Sequence, residues 1–235
     1  MKAIPALPFK LLCLFSFALL VAGCERDAPA PAADAPSRPS LFMSLSGPEQ
    51  ETLQNCGVGP QELDRYLLLP QEQFDQDFED GWRKVSEREE CREAASALIQ
   101  AYLRYSVRPV EDLEILRWHA GQLEAMSGNA MEAIALFRGT YRESADPSDV
   151  AWRLYARATI AFLQRDRKIL SALRDELAAL PVPEEETAAR LQFQEDNPDV
   201  SMPEGFVEEP ENLTVLDRLL RCFDSDYASA YNGDC

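Results

Sequence analysis

Residues 113–141, LEILRWHAGQLEAMSGNAMEAIALFRGTY, determine the fold class together with PSDVAWRLYARATIAFL (147–163) and ILSALRDEL (169–177). In each stretch the apolar residues recur every three or four positions, which is the spacing of an amphipathic helix. Gly128 suits the left-handed residue that follows a helix, and Pro147 suits the first turn of the next one. The three stretches therefore predict two antiparallel helical hairpins in series.

The first of these hairpins resembles a tetratricopeptide repeat (TPR), a helix pair of about 34 residues. Gly121, Gly128, Ala133 and Phe137 fall at that motif's small-residue, turn, small-residue and aromatic positions. Small residues let the two backbones approach where the helices cross, and the aromatic ring fills the space beside them. The second hairpin lacks the matching small residues. The region 110–180 is therefore predicted to be either a short TPR-like array or a generic set of antiparallel helix pairs.

The fold class predicted for residues 47–235 is all-α, because helical spacing continues on both sides of the hairpins. Residues 181–211 are acidic and interrupted by prolines, with one short helix predicted near residues 187–193, and they are predicted to be a strap across the helical body or a mobile loop. Asn212 is the predicted cap of a final helix over residues 212–223.

The densest group of acidic residues, FDQDFEDGW (74–82), does not fit a calcium-binding EF-hand loop. Counted from Asp75, Gly81 falls at position seven and Ser86 at position twelve, where that loop needs glycine at six and glutamate at twelve. The segment is instead predicted to be helical, with its aromatic residues on one face: Phe74, Phe78 and Trp82.

The N-terminus has the pattern of a signal peptide. Lys2 and Lys10 precede an apolar run over residues 11–21, which is shorter than the roughly 20 residues that a membrane-spanning helix needs. The run ends in Val21-Ala22-Gly23-Cys24, which resembles the lipobox of bacterial lipoproteins. An ordinary secretory signal with a cysteine at this position is the alternative interpretation.

The lipoprotein resemblance implies that residues 1–23 are removed and that the thiol of Cys24 carries a diacylglycerol, with a further acyl chain such as palmitate on its amine. Glu25 stands where many inner-membrane lipoproteins have aspartate, so the resemblance favours the periplasmic face of the outer membrane. Residues 24–46 are then a lipidated cysteine and a disordered linker rich in proline and alanine, which acts as a tether.

Four cysteines remain once Cys13 leaves with the signal peptide and Cys24 takes the lipid: Cys56, Cys91, Cys222 and Cys235. An even number of cysteines in the periplasm predicts disulfide bonds. Three sets of pairs are possible, and Cys56–Cys91 with Cys222–Cys235 is favoured because each bond closes a local loop between adjacent helices. A metal site is the other interpretation, but neither a CxxC motif nor a nearby histidine supports it.

The sequence offers little support for catalysis. It contains no GxSxG motif, no HExxH motif and no glycine-rich phosphate loop, so we predict no catalytic residue, metal or cofactor. His119 is the only histidine. We interpret it as half-buried and bonded to a backbone carbonyl or a carboxylate, and the alternative is a ligand or proton acceptor in a binding site.

A candidate binding groove is predicted in the two hairpins, because aromatic residues and arginine are enriched where proteins bind one another. Its residues are Arg117, Trp118, His119, Gln122, Trp152, Arg153 and Arg157. In a chain of net charge −18, such a groove would be a local exception that binds a peptide carboxylate or an acidic segment. The competing interpretation is ordinary structural packing, since arginine outnumbers lysine 19 to 4 in the whole chain.

The function predicted from these features is a non-catalytic helical scaffold that is held at the outer membrane and binds a protein or peptide of the cell envelope. Two alternatives stay open: a cell-envelope enzyme that uses acidic residues without a recognisable motif, and a purely structural envelope lipoprotein. Nucleic acid is not expected as a partner, because a net charge of −18 repels phosphate.

Overall fold

The computed structural model describes residues 40–143, 146–200, 202, 207 and 209–235, except for the side chains of residues 147 and 148. The predicted signal peptide, Cys24 and most of the predicted linker lie outside these residues. All regular secondary structure within the described ranges is helical, with no strand, and the all-α prediction is confirmed.

Short helices precede a longer one in the first part of the body. A 3-10 turn at Leu41–Ser44 is followed by α1 (Gly47–Asn55), α2 (Pro60–Tyr66), α3 (Gln71–Gln76), α4 (Gly81–Ser86), a second 3-10 turn at Glu89–Cys91, and α5 (Arg92–Tyr105). The start of α1 is fixed by a capping box, in which Ser46 accepts from the Glu49 backbone N–H and the Glu49 carboxylate accepts from the Ser46 backbone N–H.

The second part contains the predicted hairpins and the C-terminal helices. In chain order these are α6 (Leu113–Met126), α7 (Ala130–Arg138), α8 (Pro147–Leu163), α9 (Arg167–Ala178), α10 (Glu184–Asp196), α11 (Leu213–Arg221) and α12 (Tyr227–Asn232). The Asp112 carboxylate begins α6 by accepting hydrogen bonds from the backbone N–H groups of Glu114 and Ile115, both at 3.0 Å.

α6 is buried on two faces and is shared by two hydrophobic cores. Its residues Leu116, Ala120 and Leu123 pack into the core formed with α1 to α5. Trp118 and Ala125, on another face, belong to the core formed with α7, α8, α9, α11 and α12. Because both cores contain side chains of one helix, α6 joins the N-terminal helices to the C-terminal helices.

Both predicted hairpins are present, with α6 packed along α7 and α8 packed along α9. Gly121 provides the close approach expected of a small residue, because a Cβ atom at this position would lie 2.5 Å from the Phe137 ring. Gly128 ends α6 with a φ of +88°, in the left-handed region that favours glycine. The steric expectations for the first hairpin are therefore met.

The packed body begins before residue 47, where the predicted linker ends. Phe42 and Leu45 are buried in the N-terminal core. The turn that carries Phe42 is held by Ser40, whose side chain accepts from the Phe42 backbone N–H at 3.2 Å. Residues 41–46 therefore belong to the packed body and not to the linker, because two of their apolar side chains are buried in its core.

Residues 74–82 do not form the single helix that the aromatic spacing predicts. α3 ends at Gln76, and α4 begins at Gly81, whose φ is +63°. Phe74 and Trp82 are buried, but Phe78 lies in the link and is 52% exposed. The prediction of one aromatic face is wrong here, since a left-handed glycine turns the chain between the two helices.

The helix in the acidic stretch 181–211 is longer than predicted, since α10 covers residues 184–196 rather than 187–193. α10 is a regular helix with no buried residue, and three consecutive glutamates at residues 184–186 favour its N-terminus electrostatically. Asn212 occupies the predicted cap position of α11, but it has a φ of +66° and its side chain makes no capping hydrogen bond. The position of the cap was right and its mechanism was wrong.

Both predicted disulfide bonds are present. Cys56 follows α1 and bonds to Cys91 at the start of α5, with 5.7 Å between the Cα atoms. Cys222 follows α11 and bonds to Cys235 beyond α12, with 5.6 Å between the Cα atoms. One bond therefore fixes the N-terminal helices, and the other holds the end of the chain.

Replacing Tyr227 with phenylalanine is expected to raise the free energy of unfolding by about 1 kcal/mol, because the buried Tyr227 hydroxyl has no hydrogen-bond partner among the described residues. Burial raises the pKa of Tyr227 well above its ordinary value. Urea denaturation followed by circular dichroism measures the change.

Tyr102→Phe is the matched control, because the Tyr102 hydroxyl donates to the Leu69 carbonyl oxygen at 2.7 Å. This variant is expected to lose about 1 kcal/mol. Equal effects of the two substitutions would contradict the interpretation of Tyr227.

Candidate functional site

The only histidine lies in a polar network between α3, α4 and α6. The Asp75 carboxylate, 1% exposed, lies 2.7 Å from His119 Nδ1 and accepts from Trp82 Nε1 at 2.7 Å. Gln76 Nε2 donates to the second carboxylate oxygen at 2.5 Å. The Arg83 side chain donates to the Asp75 backbone carbonyl and stacks over the Trp82 ring at 4.4 Å. A buried carboxylate is therefore surrounded by donors from three helices.

The hydrogen bonds decide the protonation state of this network. Burial raises the pKa of Asp75, but the hydrogen bond and charge of His119, the hydrogen bond of Trp82 and the charge of Arg83 outweigh it, so its pKa lies below the ordinary 3.8. An ionised carboxylate only accepts hydrogen bonds, and His119 Nδ1 must therefore donate. The hydrogen bond from Nδ1 to Asp75 therefore fixes the orientation of the His119 ring.

A carboxylate that orients a histidine in this way also occurs in catalytic and metal sites, but in the described part of the chain no third potential metal ligand joins Asp75 and His119. The four cysteines in the described part of the chain are all in disulfide bonds and offer no thiol. The network's clear effect is to join α3 and α4 to α6. The expectation that His119 bonds to a carboxylate is met.

Asp75→Asn is expected to lower the free energy of unfolding at neutral pH by about 2 kcal/mol. The NH₂ group of the asparagine would replace one carboxylate oxygen, so that a donor would face a donor of Trp82, His119 or Gln76. The folded-state pKa of Asp75 is depressed, so its stabilisation is present above the ordinary 3.8 and is lost as pH falls below that value. Urea titrations at several pH values should therefore show a steeper acid loss in the wild type than in the variant.

The comparison isolates Asp75, because other carboxylates with depressed pKa values are unchanged in both proteins. One of them is Glu49, whose pKa Arg104 lowers to about 2. Parallel acid profiles for the wild type and Asp75→Asn would show that Asp75 does not contribute in this way.

The predicted groove residues of α6 do not share one surface. Trp118 is 3% exposed and packs in the core against Phe137, with 4.3 Å between ring centroids, so it cannot line an open groove. Arg117 donates to the Gly139 carbonyl oxygen at 3.3 Å. Gln122 lies on the side of α12, whereas His119 faces α3 and α4.

The predicted groove residues of α8 diverge as well. Arg153 forms an ion pair with Glu143, with 3.6 Å between Nη1 and Oε2, and Arg157 is exposed. Trp152 donates from Nε1 to the Thr140 carbonyl oxygen at 2.7 Å. Its ring also lines a cleft that the predicted groove did not include.

This Trp152 cleft lies where α8 meets the segments on either side of α10. It is lined by Ala151 and Trp152, by residues 180–183 and Glu186, and by residues 210–212. Its volume is about 140 Å³. A cavity of about 150 Å³ holds a benzene-sized group, whereas pockets for drug-sized ligands have about 300–1,000 Å³. The cleft therefore fits one side chain.

Hydrogen bonds outside the cleft hold its walls together. Arg190 of α10 donates to the Glu209 carbonyl oxygen at 2.7 Å and forms an ion pair with Glu186 one turn earlier. Arg174 of α9 donates to the Asp217 carboxylate of α11 at 2.7 Å. These contacts connect α10 to the chain before α11, and α9 to α11.

A second, larger cleft of about 380 Å³ lies at the ends of α6 and α8. Apart from the Tyr227 hydroxyl, the polar side chains that line it are already hydrogen-bonded within the protein. Arg165 donates to two backbone carbonyl oxygens, and the Asp226 carboxylate accepts from the Ser229 backbone N–H and hydroxyl. Ser127 donates to the Leu123 carbonyl oxygen. The Trp152 cleft is the stronger candidate, because it combines an aromatic wall with a carboxylate, that of Glu211, for which no ion pair is found in the described part.

No family model, curated protein or solved structure matches the chain. The resemblances to TPR and lipoprotein sequences therefore stay predictions. Within the described ranges no group of three or more histidine, cysteine, aspartate or glutamate side chains is placed to hold a metal ion. None of the helices there combines the length and apolarity needed to cross a bilayer.

Two kinds of site residue could not be recognised from the sequence. Asp75 was noted only as a possible calcium ligand, and its partner His119 lies 44 residues away. Pro181, Val182 and Pro210 belong to the predicted strap or loop, and in the structure they line the Trp152 cleft. An acidic, proline-rich segment is a weak signal for such a cleft, because only the tertiary fold brings it against the half-buried Trp152.

Proposed function

We propose that this protein is a bacterial lipoprotein, attached through Cys24 to the periplasmic face of the outer membrane, and that its helical body binds a protein or peptide of the cell envelope without catalysis. The observation that carries the proposal is the Trp152 cleft, whose volume suits one side chain of a partner. A cleft of this size supports protein recognition better than small-molecule chemistry.

The rigidity of the body supports a scaffold role. α6 is shared by two cores, and each end of the body is closed by a disulfide bond. A preformed surface loses little conformational entropy when it binds, which favours affinity. The lipid would keep this surface near the membrane, while the proline-rich tether would let it reach partners.

Metabolic labelling with an alkyne fatty acid tests the membrane anchor. The wild-type protein should incorporate the label, and Cys24→Ser should lose it. Cys13→Ser is the matched control, because Cys13 would leave with the signal peptide, and it should keep the label. Equal labelling of all three proteins would contradict lipidation at Cys24.

Chemical cross-linking in native membranes, followed by mass spectrometry, tests the scaffold role. One partner should be recovered reproducibly, with cross-links from lysine and acidic side chains near α8 to α11. Cross-links scattered over the whole surface to abundant envelope proteins would contradict specific binding and favour a purely structural lipoprotein.

A further inference from the structure

The Trp152 cleft offers a ligand many hydrogen-bond acceptors and few donors. Three of its lining residues are prolines, which have no backbone N–H: Pro181, Pro183 and Pro210. The Trp152 N–H is already donated to Thr140. Among the described lining side chains, Asn212 alone retains an N–H group, while Glu186 and Glu211 bring carboxylates. A complementary ligand must therefore supply the donors.

Glu211 is the carboxylate that a ligand would meet. Glu186 is already paired with Arg190. Glu211 is exposed, and no ion pair to it is found in the described part of the chain. It is also close enough to Tyr155, in the aromatic cluster behind Trp152, to raise the pKa of that tyrosine further after burial has raised it. A carboxylate with no ion pair among the described residues thus lies beside an aromatic and apolar surface.

An apolar cleft of this size beside an unpaired carboxylate matches a side chain with an apolar stem and a cationic end. Lysine and arginine have this form, because their methylene stems cover apolar surface while the charged group stays near water. The aromatic ring of Trp152 adds attraction for a cation. The whole chain, with a net charge of −18, also steers a basic partner toward the protein.

On the basis of the proposed function, we infer that the Trp152 cleft takes a lysine or arginine side chain from a basic segment of the partner protein, with Glu211 as its counter-ion. The inferred partner segment is basic, whereas the arginines in the sequence predicted an acidic one. Those arginines do not form one surface, and Arg153 is in an ion pair with Glu143.

Selection from a random heptapeptide library on the disulfide-bonded body tests the inference. Peptides enriched on the wild type, but not on a Val182→Trp variant whose cleft is filled, should share a lysine or arginine next to an apolar residue. Circular dichroism checks that the variant is folded. Val182 lies in the link between α9 and α10 and is only partly buried, so its substitution should leave the cores intact.

Charge reversal then separates recognition at the cleft from general attraction. Glu211→Lys should weaken binding of an enriched peptide at least about tenfold, because it places like charges side by side. Glu185→Lys makes the same change in net charge at an exposed residue of α10 that does not line the cleft, and should weaken binding less than about twofold.

The outcomes distinguish the inference from the proposed function. If the enriched peptides are neutral or acidic and do not bind Val182→Trp, the basic-segment inference is overturned. The scaffold proposal would then still stand. Equal losses in Glu211→Lys and Glu185→Lys would also overturn it, because bulk charge would explain the binding. No enrichment over Val182→Trp would count against both proposals.

Discussion

Replacing Gly81 with alanine is expected to lower the free energy of unfolding by about 3–5 kcal/mol. The new Cβ atom would lie 1.9 Å from the Phe74 carbonyl oxygen, so the backbone of α3 or α4 must move. The φ of +63° adds a further cost, since alanine is strained in the left-handed region by about 1–2 kcal/mol. Trp82 follows directly, so the displacement would also disturb its hydrogen bond to Asp75.

Gly57→Ala is the matched control for this prediction. Gly57 also has a positive φ, of +81°, but no atom lies within 4 Å of the position of its Cβ. The control should therefore show only the conformational cost of about 1–2 kcal/mol. Urea denaturation of both variants measures the difference, and equal losses would mean that the contact with Phe74 does not constrain the link between α3 and α4.

Removing the Cys56–Cys91 bond, as Cys56→Ala with Cys91→Ala, is expected to cost about 4 kcal/mol of stability. The bond spans 35 residues, and closing a loop of this length restricts the unfolded chain substantially. For a body of this size, the loss corresponds to a fall of about 10 °C in the Tm. Differential scanning calorimetry measures it directly.

The second disulfide bond serves as the comparison. Cys222–Cys235 spans 13 residues, and its removal is expected to cost about 3 kcal/mol, chiefly at the C-terminal end of the body. A reducing agent should lower the Tm of either double variant less than that of the wild type. If reduction leaves the wild-type Tm unchanged, the bonds do not stabilise the folded protein.

The helical hairpins could be predicted because their determinants are local in sequence. Apolar residues at helical spacing define α6 to α9, and Gly128 and Pro147 stand at their boundaries. Gly121 and Phe137 meet as predicted, since a small residue opposite an aromatic ring is a pairwise property of one hairpin. The disulfide pairs could be predicted because, of the four cysteines that follow Cys24, each bond joins the two that are nearest to each other along the chain.

The break between α3 and α4 could not be predicted from the spacing of aromatic residues. Phe74, Phe78 and Trp82 fit a helix face, but the left-handed φ of Gly81 depends on its packing against the Phe74 backbone. The Asp75–His119 contact could not be predicted either, because the sequence contains many carboxylates and does not indicate which of them contacts the single histidine. Such non-local contacts follow from the fold and have no local pattern.

The binding groove shows a limit that helix geometry itself imposes. Arg117, Trp118 and His119 are consecutive in α6, and neighbouring residues of a helix point about 100° apart. They therefore face three different surroundings: Gly139, the core and Asp75. Residue types typical of binding sites were present, but their spacing was incompatible with one surface.

Site-specific photo-cross-linking tests the central claim most directly, namely that the Trp152 cleft contacts a partner in the cell envelope. A photo-reactive amino acid at Val182, which lines the cleft, should give one cross-linked product in native membranes. Its yield should saturate with increasing protein and fall at least about tenfold when Glu211→Lys is added. The same group at the exposed Ile169 on α9 should not give this product. An adduct pattern that is the same from both positions, or that does not saturate, would contradict the claim.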